Sequence, residues 1–369
     1  MNRPEKANKD PLIRIAKRDA ISKPRAWGIR LIGVVLALIV CAFVIYAIVH
    51  LNPLKVYGSM FNGAFGTEKR TWVTVRDAMM LLCIGVGLAP AFKMRFWNIG
   101  AEGQVLVGGV ATAACMIYCK SFPAPLLFLL MIVASIVAGA LWALLPAVFK
   151  SKWNTNETLF TLMMNYVAIQ VTSFFVSKWE NPYGSNTVGV INPNSNEGWF
   201  PAVFGEQYFL NVLIVMTITV AMYYYLKYSK HGYEIAVVGE SLDTARYAGI
   251  NTKAVFIRTM LLSGAVCGLA GFIAVSGASH TISTSTAGGR GFTAIIVAWM
   301  AKFNTYVMIL IAFLLVFLEK GAIEIASLYN LNNFVSEMIE GIILFFILGS
   351  EFFINYRLIF RSKKEADAE

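Results

Sequence analysis

The chain has 369 residues, 57% hydrophobic and 14% charged, with a formal net charge of +10 and a mean hydropathy of +0.64. A soluble domain carries about 45–50% apolar and about 25% charged residues, so with apolar runs of about 20 residues the composition excludes a soluble globular protein and reads as an all-α polytopic membrane protein. The positive charge does not point to nucleic acid, because the basic residues cluster between the apolar runs, on one side, as the positive-inside rule expects.

The first segment, residues 1–28, is basic, and the apolar run behind it, 29–51, is too long for a signal-peptide core and lacks a small-residue cleavage site. It reads as a retained transmembrane helix. The membrane domain then occupies 29–354, with a short tail over 355–369. About ten spans are expected: 29–51, 77–92, 99–118, 124–149, 157–176, 208–226, 256–278, 286–300, 303–320 and 335–354. The eighth is short and broken by Gly288, Gly289 and Gly291.

Orientation follows from Lys and Arg. Arg3, Lys6, Lys9, Arg14, Lys17, Arg18, Lys23, Arg25 and Arg30 lie at the start of the chain. With that segment inside, alternation also puts Lys93, Arg95, Lys150, Lys152, the basic residues from Lys227 to Arg258, Lys302, Arg357, Arg361, Lys363 and Lys364 inside. An even number of spans leaves both termini cytoplasmic.

Two outer segments stand out. Residues 52–76 carry Leu54, Val56, Tyr57, Met60, Phe61 and Phe65, which suit an amphipathic helix on the membrane surface. Residues 177–207 carry Trp179, Tyr183, Trp199, Phe200 and Phe204 among Asn, Gly and Pro. These aromatics read either as an interfacial belt or as a docking surface for an external partner.

The stretch Trp97-Asn-Ile-Gly-Ala-Glu-Gly-Gln-Val-Leu-Val-Gly-Gly109 lies between long apolar runs yet holds Asn98, Glu102 and Gln104. A central intramembrane carboxylate costs roughly 2.5–3.5 kcal/mol unless protein or water surrounds it. Asn98, Glu102 and Gln104 are therefore candidates for a solute pathway, as are Asn165, Tyr166 and Gln170 of the fifth span and Arg290 of the eighth. For Glu102 the competing role is helix packing, paired with Asn98, Gln104 or Arg290. For Asn165, Tyr166 and Gln170 it is ordinary interhelical hydrogen bonding. Gly100–Gly109 also lines up with Gly288–Val297, each a glycine-rich opening with one central charge. Five spans apart, the two would form a candidate inverted repeat, and glycine-broken segments at matching positions mark transport sites near the midplane.

Between the sixth and seventh spans, Ser241 suits an N-cap, Asp243 a first helical turn and Gly249 a left-handed C-terminal position. A helix this short needs something to pack against. Gly239, Glu240, Ser241, Leu242, Asp243, Ala245, Arg246 and Gly249 are candidates for a cytoplasmic coupling loop. The alternative is a helix lying on the protein's own inner face.

Cys41, Cys83, Cys115, Cys119 and Cys267 all fall in apolar runs with no C-x-x-C spacing, which reads as packing and leaves no metal site. His50, His231 and His280 adjoin no catalytic partners. No phosphate-binding G-x-x-x-x-G-K-[ST] loop occurs. An enzyme is not expected.

Four segments carry a family resemblance: Asn52-Pro-Leu54 with Gly63-Ala-Phe-Gly66; Phe96 through Gln104; Glu157 with Thr161-Leu-Met-Met-Asn-Tyr166; and Gly232-Tyr-Glu234 through Gly239-Glu240 to Ala245-Arg-Tyr-Ala-Gly249. In order and spacing the chain resembles the permease subunit of bacterial ABC importers of the branched-chain amino acid, ribose and nucleoside group, most of all nucleoside importers. The departure is Ala298-Trp-Met-Ala-Lys302, where a glycine-containing turn is expected. The resemblance implies a multi-pass protein of the bacterial cytoplasmic membrane that performs no chemistry and holds no cofactor. It implies a cytoplasmic ABC ATPase, a second and similar permease subunit and an extracellular solute-binding lipoprotein as partners. Nucleoside import is the implied function, with simple sugars as the alternative solute and an ion-coupled secondary transporter as the competing class.

Overall fold

The computed structural model describes residues 13–18, 21–49, 52–330 and 333–360; Arg3, Lys6, Lys9, His50, Leu51, Arg361, Lys363 and Lys364 of the sequence reading lie outside them. Helices dominate: α1 (Lys23–Val49), α2 (Pro53–Phe65), α3 (Glu68–Lys93), α4 (Ala101–Tyr118), α5 (Ala124–Trp153), α6 (Glu157–Lys178), α7 (Phe209–Tyr228), α8 (Lys230–Glu240), α9 (Leu242–Tyr247), α10 (Thr252–Ala274), α11 (Arg290–Met300), α12 (Thr305–Leu328) and α13 (Asn333–Asn355). A π turn, Val275–Ser279, prolongs α10. Among the described residues eight helices are long and apolar enough to cross a membrane, and two shorter apolar ones, Arg290–Met300 and Gly341–Asn355, accompany them. The protein is an all-α polytopic membrane protein.

The chain divides within α2 and α12 into two compact units. In the first, α1 packs along α13, with Arg30 paired to Glu351 at 2.7 Å. Strand β1 (Ile13–Lys17) pairs antiparallel with β2 (Tyr356–Phe360), a small ribbon that the sequence reading lacked. Because β1 leads into α1 and β2 leaves α13, the ribbon sets both ends of this unit on one side.

The second unit, Ala64–Phe317, has α3, α4 and α10 at its centre, largely buried, with α5, α6 and α7 outside them. The packing is close enough to need glycine: a Cβ at Gly268 would lie 2.2 Å from the Ser135 carbonyl of α5. Small residues let membrane helices approach this way. Two of the shifts in span boundaries bear on the site. The second span starts at Glu68 rather than 77, capped by the Thr67 hydroxyl, so residues 52–76 are α2 plus the opening turns of α3. The eighth is helical only from Arg290 to Met300, about 16 Å at 1.5 Å per residue, half a bilayer core.

The segment 177–207 folds back on its own unit. The Trp199 ring stacks on His280 at 3.9 Å, the Ile191 amide donates to the His280 carbonyl at 2.8 Å, and the Ser276 hydroxyl donates to the Gly198 carbonyl. Trp199 and Phe200 are thus engaged internally, whereas Tyr183 and Phe204 are exposed.

Candidate functional site

The α3–α4 break is Met94–Gly100, non-helical backbone inside an apolar bundle. Such backbone survives at membrane depth only where protein or water satisfies it. Here neighbouring helices do so. Asn98 Oδ1 accepts from the Gly100 amide and Gln104 Nε2, both at 3.1 Å, while Nδ2 donates to Ser263 Oγ of α10 at 3.1 Å. Thr161 of α6 accepts from the Ile99 amide at 3.2 Å. One turn on, Asn165 accepts from the Gly103 amide and donates to the Ile99 carbonyl, each at 2.9 Å. Asn98, Gln104 and Asn165 are buried and serve the break itself. Tyr166 and Gln170 sit on the opposite, exposed side of α6, apart from this cluster.

Glu102 follows in the first turn of α4. The expected pairing with Asn98 or Gln104 is not what forms: its carboxylate accepts from the Gly289 and Gly291 amides, both at 2.8 Å. A carboxylate satisfying orphan amides at a helix N-terminus is favoured by the helix dipole. Two glycines permit the fit: Gly289 is left-handed at φ 74°, and a Cβ on Gly291 would lie 2.5 Å from the Glu102 nitrogen. Arg290 pairs instead with Asp77 of α3 at 3.2 Å, and Arg76 holds the other Asp77 oxygen at 2.9 Å. The paired positions Gly100–Gly109 and Gly288–Val297 therefore touch, through a cap. Asp77, Arg76 and Ser263 were missed. Asp77 carried the same signal as Glu102, a carboxylate among apolar residues, hidden because the span was started there.

Depth follows from helix rise. Asp77 is nine residues from the start of α3 and sixteen from its end, about 13 and 24 Å at 1.5 Å per residue. Since α3 opens with Glu68, Lys69 and Arg70, Asp77 and the Arg290 head group paired with it lie about 9 Å below the end of that charged turn. The irregular segment leading to it exposes Thr284, Ser285, Gly288 and Gly289.

At the other end of α11, Trp299 stacks on Trp97 of the break, 5.2 Å between centroids. Phe92 and Phe303 adjoin them. A cleft of about 620 Å³ opens here, lined also by Lys93, Arg95, Gly239 and Glu240.

Helix α8 was not foreseen; Ser229 caps it by accepting from the Gly232 amide at 2.9 Å. It rests closely on α3, since a Cβ on Gly239 would lie 2.1 Å from the Lys93 carbonyl. His231 ties α8 to its neighbours, Nδ1 to the Tyr225 hydroxyl at 2.5 Å and Nε2 to the Thr259 hydroxyl at 3.3 Å. Burial holds its imidazole below the ordinary value, with Glu234 opposing and Arg258 reinforcing. Helix α9 forms as the sequence reading expects: Ser241 accepts from the Thr244 amide at 3.2 Å and Gly249 is left-handed at φ 75°. Glu240, Leu242, Asp243 and Arg246 are exposed, but Ala245 and Gly239 are buried against the protein and cannot present themselves to a partner.

Residues 73–348 match the family described as branched-chain amino acid transport system / permease component. The chain is 30% identical to a glucose ABC transporter permease protein of Haloferax volcanii, over 90% of each chain. It is 29% identical to a guanosine ABC transporter permease protein of Bacillus subtilis, over 80% of this chain and 85% of the relative. Identity to a nucleoside ABC transporter permease protein of Lactococcus lactis is 25%, over 82% of this chain and 85% of the relative. No solved structure matches the chain.

Proposed function

The chain belongs to the branched-chain amino acid transport system / permease component family, as a multi-pass permease subunit of the cytoplasmic membrane, and we propose that it forms part of the path of an ABC importer for a nucleoside. Relatives named for guanosine and for nucleosides support that solute; the relative named for glucose keeps a simple sugar as the second reading. ATP hydrolysis belongs to a separate ATPase subunit. A second, similar permease subunit completes the path, and an external binding lipoprotein delivers solute.

The path assignment rests on one observation. Irregular backbone before α11 is exposed at Thr284, Ser285, Gly288 and Gly289, and hydrocarbon could not satisfy it, so water or another protein faces it. Glu102 and Arg290 border that place, engaged by neighbours. Asn98, Gln104 and Asn165 hold the wall behind it. The matching breaks after α3 and α10, which run in opposite directions, fit an inverted repeat with the site where its halves meet. With both termini cytoplasmic, the face bearing α8 and α9 is the inner one, and the exposed side of α9 meets the ATPase.

The test is uptake into vesicles holding this chain with its co-purifying partners, comparing labelled adenosine and uridine with ribose and glucose, with and without ATP. Nucleoside uptake that needs ATP supports the reading. Uptake driven by an ion gradient without ATP overturns it.

A further inference from the structure

The exposed face of α11 carries a pattern that none of the pathway candidates includes. Phe292 and Trp299 are 44% and 43% exposed and lie seven residues apart, two turns along one face. Above Phe292 the turn entering the helix offers hydroxyls: Ser283 and Ser285 are linked at 3.0 Å, and Thr284 and Ser285 are exposed. Below, Trp299 stacks on Trp97 and borders the 620 Å³ cleft toward α8. Hydroxyls, an aromatic ring and an aromatic pair thus follow one another from the turn entering α11 to its C-terminal end.

The fixed charges at the N-terminal end of this face are compensated. Glu102 is bound by two amides, and Arg290 pairs with Asp77. A phosphate entering beside Phe292 would meet Arg290 already paired, whereas a neutral solute loses nothing by that arrangement; Lys93 and Arg95 lie further on, in the cleft beside Trp299. Lipid is unsuited to the upper part, since non-helical backbone facing hydrocarbon is not tolerated.

Resting on the permease reading above, we propose that this face of α11 is the solute-contacting wall, taking an uncharged solute that joins an aromatic base to a hydroxyl-bearing sugar. Ser283–Ser285 meet the sugar hydroxyls, and Phe292 then Trp299 stack on the base. Stacking accepts purines and pyrimidines alike, because every base has a π face.

The experiment uses the assembled complex in vesicles and compares the parent with Phe292→Leu, Phe292→Tyr and Trp299→Leu for labelled adenosine, uridine and ribose. Phe292→Leu is expected to raise the half-saturation concentration for both nucleosides about fivefold, the low end of what one lost base–aromatic stack gives. Phe292→Tyr should stay near the parent. Unchanged nucleoside uptake in both leucine variants overturns the wall assignment while leaving the permease reading standing. Loss of the second permease subunit from the purified Phe292→Leu complex also overturns it, by making the face a subunit contact. A parent complex that carries ribose but neither nucleoside removes the base-stacking claim. A parent that carries none of the three with ATP removes the permease reading beneath it.

Discussion

Glu102 decides between two roles, holding α11 and gripping solute, and the structure allows the first to be quantified. Its carboxylate makes two bonds of 2.8 Å to the Gly289 and Gly291 amides. Interhelical hydrogen bonds in membranes average about 0.6 kcal/mol, while bonds to a charged group reach about 1.5 kcal/mol or more. Two such bonds bracket the cost of Glu102→Ala at about 1–3 kcal/mol. Glu102→Gln is no simple rescue, because it sets one acceptor and one NH₂ donor against two N–H donors. It keeps one bond and loses the charge that favours a helix N-terminus. At about 2 °C per kcal/mol for a chain of this size, Glu102→Ala should melt about 2–6 °C below the parent in detergent, with Glu102→Gln between them. In vesicles both variants should lose maximal uptake while the half-saturation concentration stays put. The opposite pattern, unchanged melting with a tenfold or greater rise in half-saturation, would show that Glu102 grips the solute and the cap is incidental.

Three further outcomes follow from the inner face. Leu242→Asp with Arg246→Glu alters only exposed residues of α9, so the ATPase should fail to co-purify while the permease melts as before; Ala245→Asp, at a buried position, should instead lower the melting temperature, and equal melting of the two would contradict that burial. Phe303 holds a left-handed φ of 62°, but its ring packs on Trp299, so Phe303→Gly should lower the melting temperature despite the strain it relieves; a rise would show that the strain outweighs the ring contact. His231 is held below its ordinary value by burial, so the unfolded chain binds more protons than the folded one as the pH falls through about 6.5. Stability should therefore fall as the pH drops through that value, and His231→Gln should flatten the curve; parallel curves between pH 5 and 8 would remove His231 from the account.

Much of this architecture was legible because its signals are local. Ser241 and Gly249 cap α9 through their own side chain and backbone, and each span announces itself by a run of apolar residues. Pairings across hundreds of residues left no such mark. Nothing near Glu102 names Gly289 as its partner, although the glycines and the buried charge flagged both segments. The β1–β2 ribbon joins Ile13–Lys17 to Tyr356–Phe360 from strands too short to announce themselves. Gly239 and Ala245 read as coupling-loop candidates because a helix is visible in sequence while the surface it lies on is not. The irregular turn expected to need glycine after α11 does form, with Lys302 and Phe303 both left-handed at φ 49° and 62°, so the departure in sequence is met by strain rather than by a different turn.

The segment from Trp97 to Glu102 acts on α11 at both ends. Trp97 stacks on Trp299 at its C-terminal end, and Glu102, five residues later, caps its N-terminus. A helix of about 16 Å is therefore spanned by one short piece of chain that crosses from the end of α3 to the start of α4. That piece begins where Gly239 of α8 meets the Lys93 carbonyl. A displacement of α8 toward α3 would reach Trp97 first and Glu102 after it, so both ends of α11 would move with the break rather than with α12. Cysteines at positions 97 and 299, joined by a short crosslinker, should then leave uptake at the level of the uncrosslinked double variant, with ATPase association intact. Uptake that stops only when the crosslink is in place would mean that the break slides against α11 during switching, and that α11 does not travel with it.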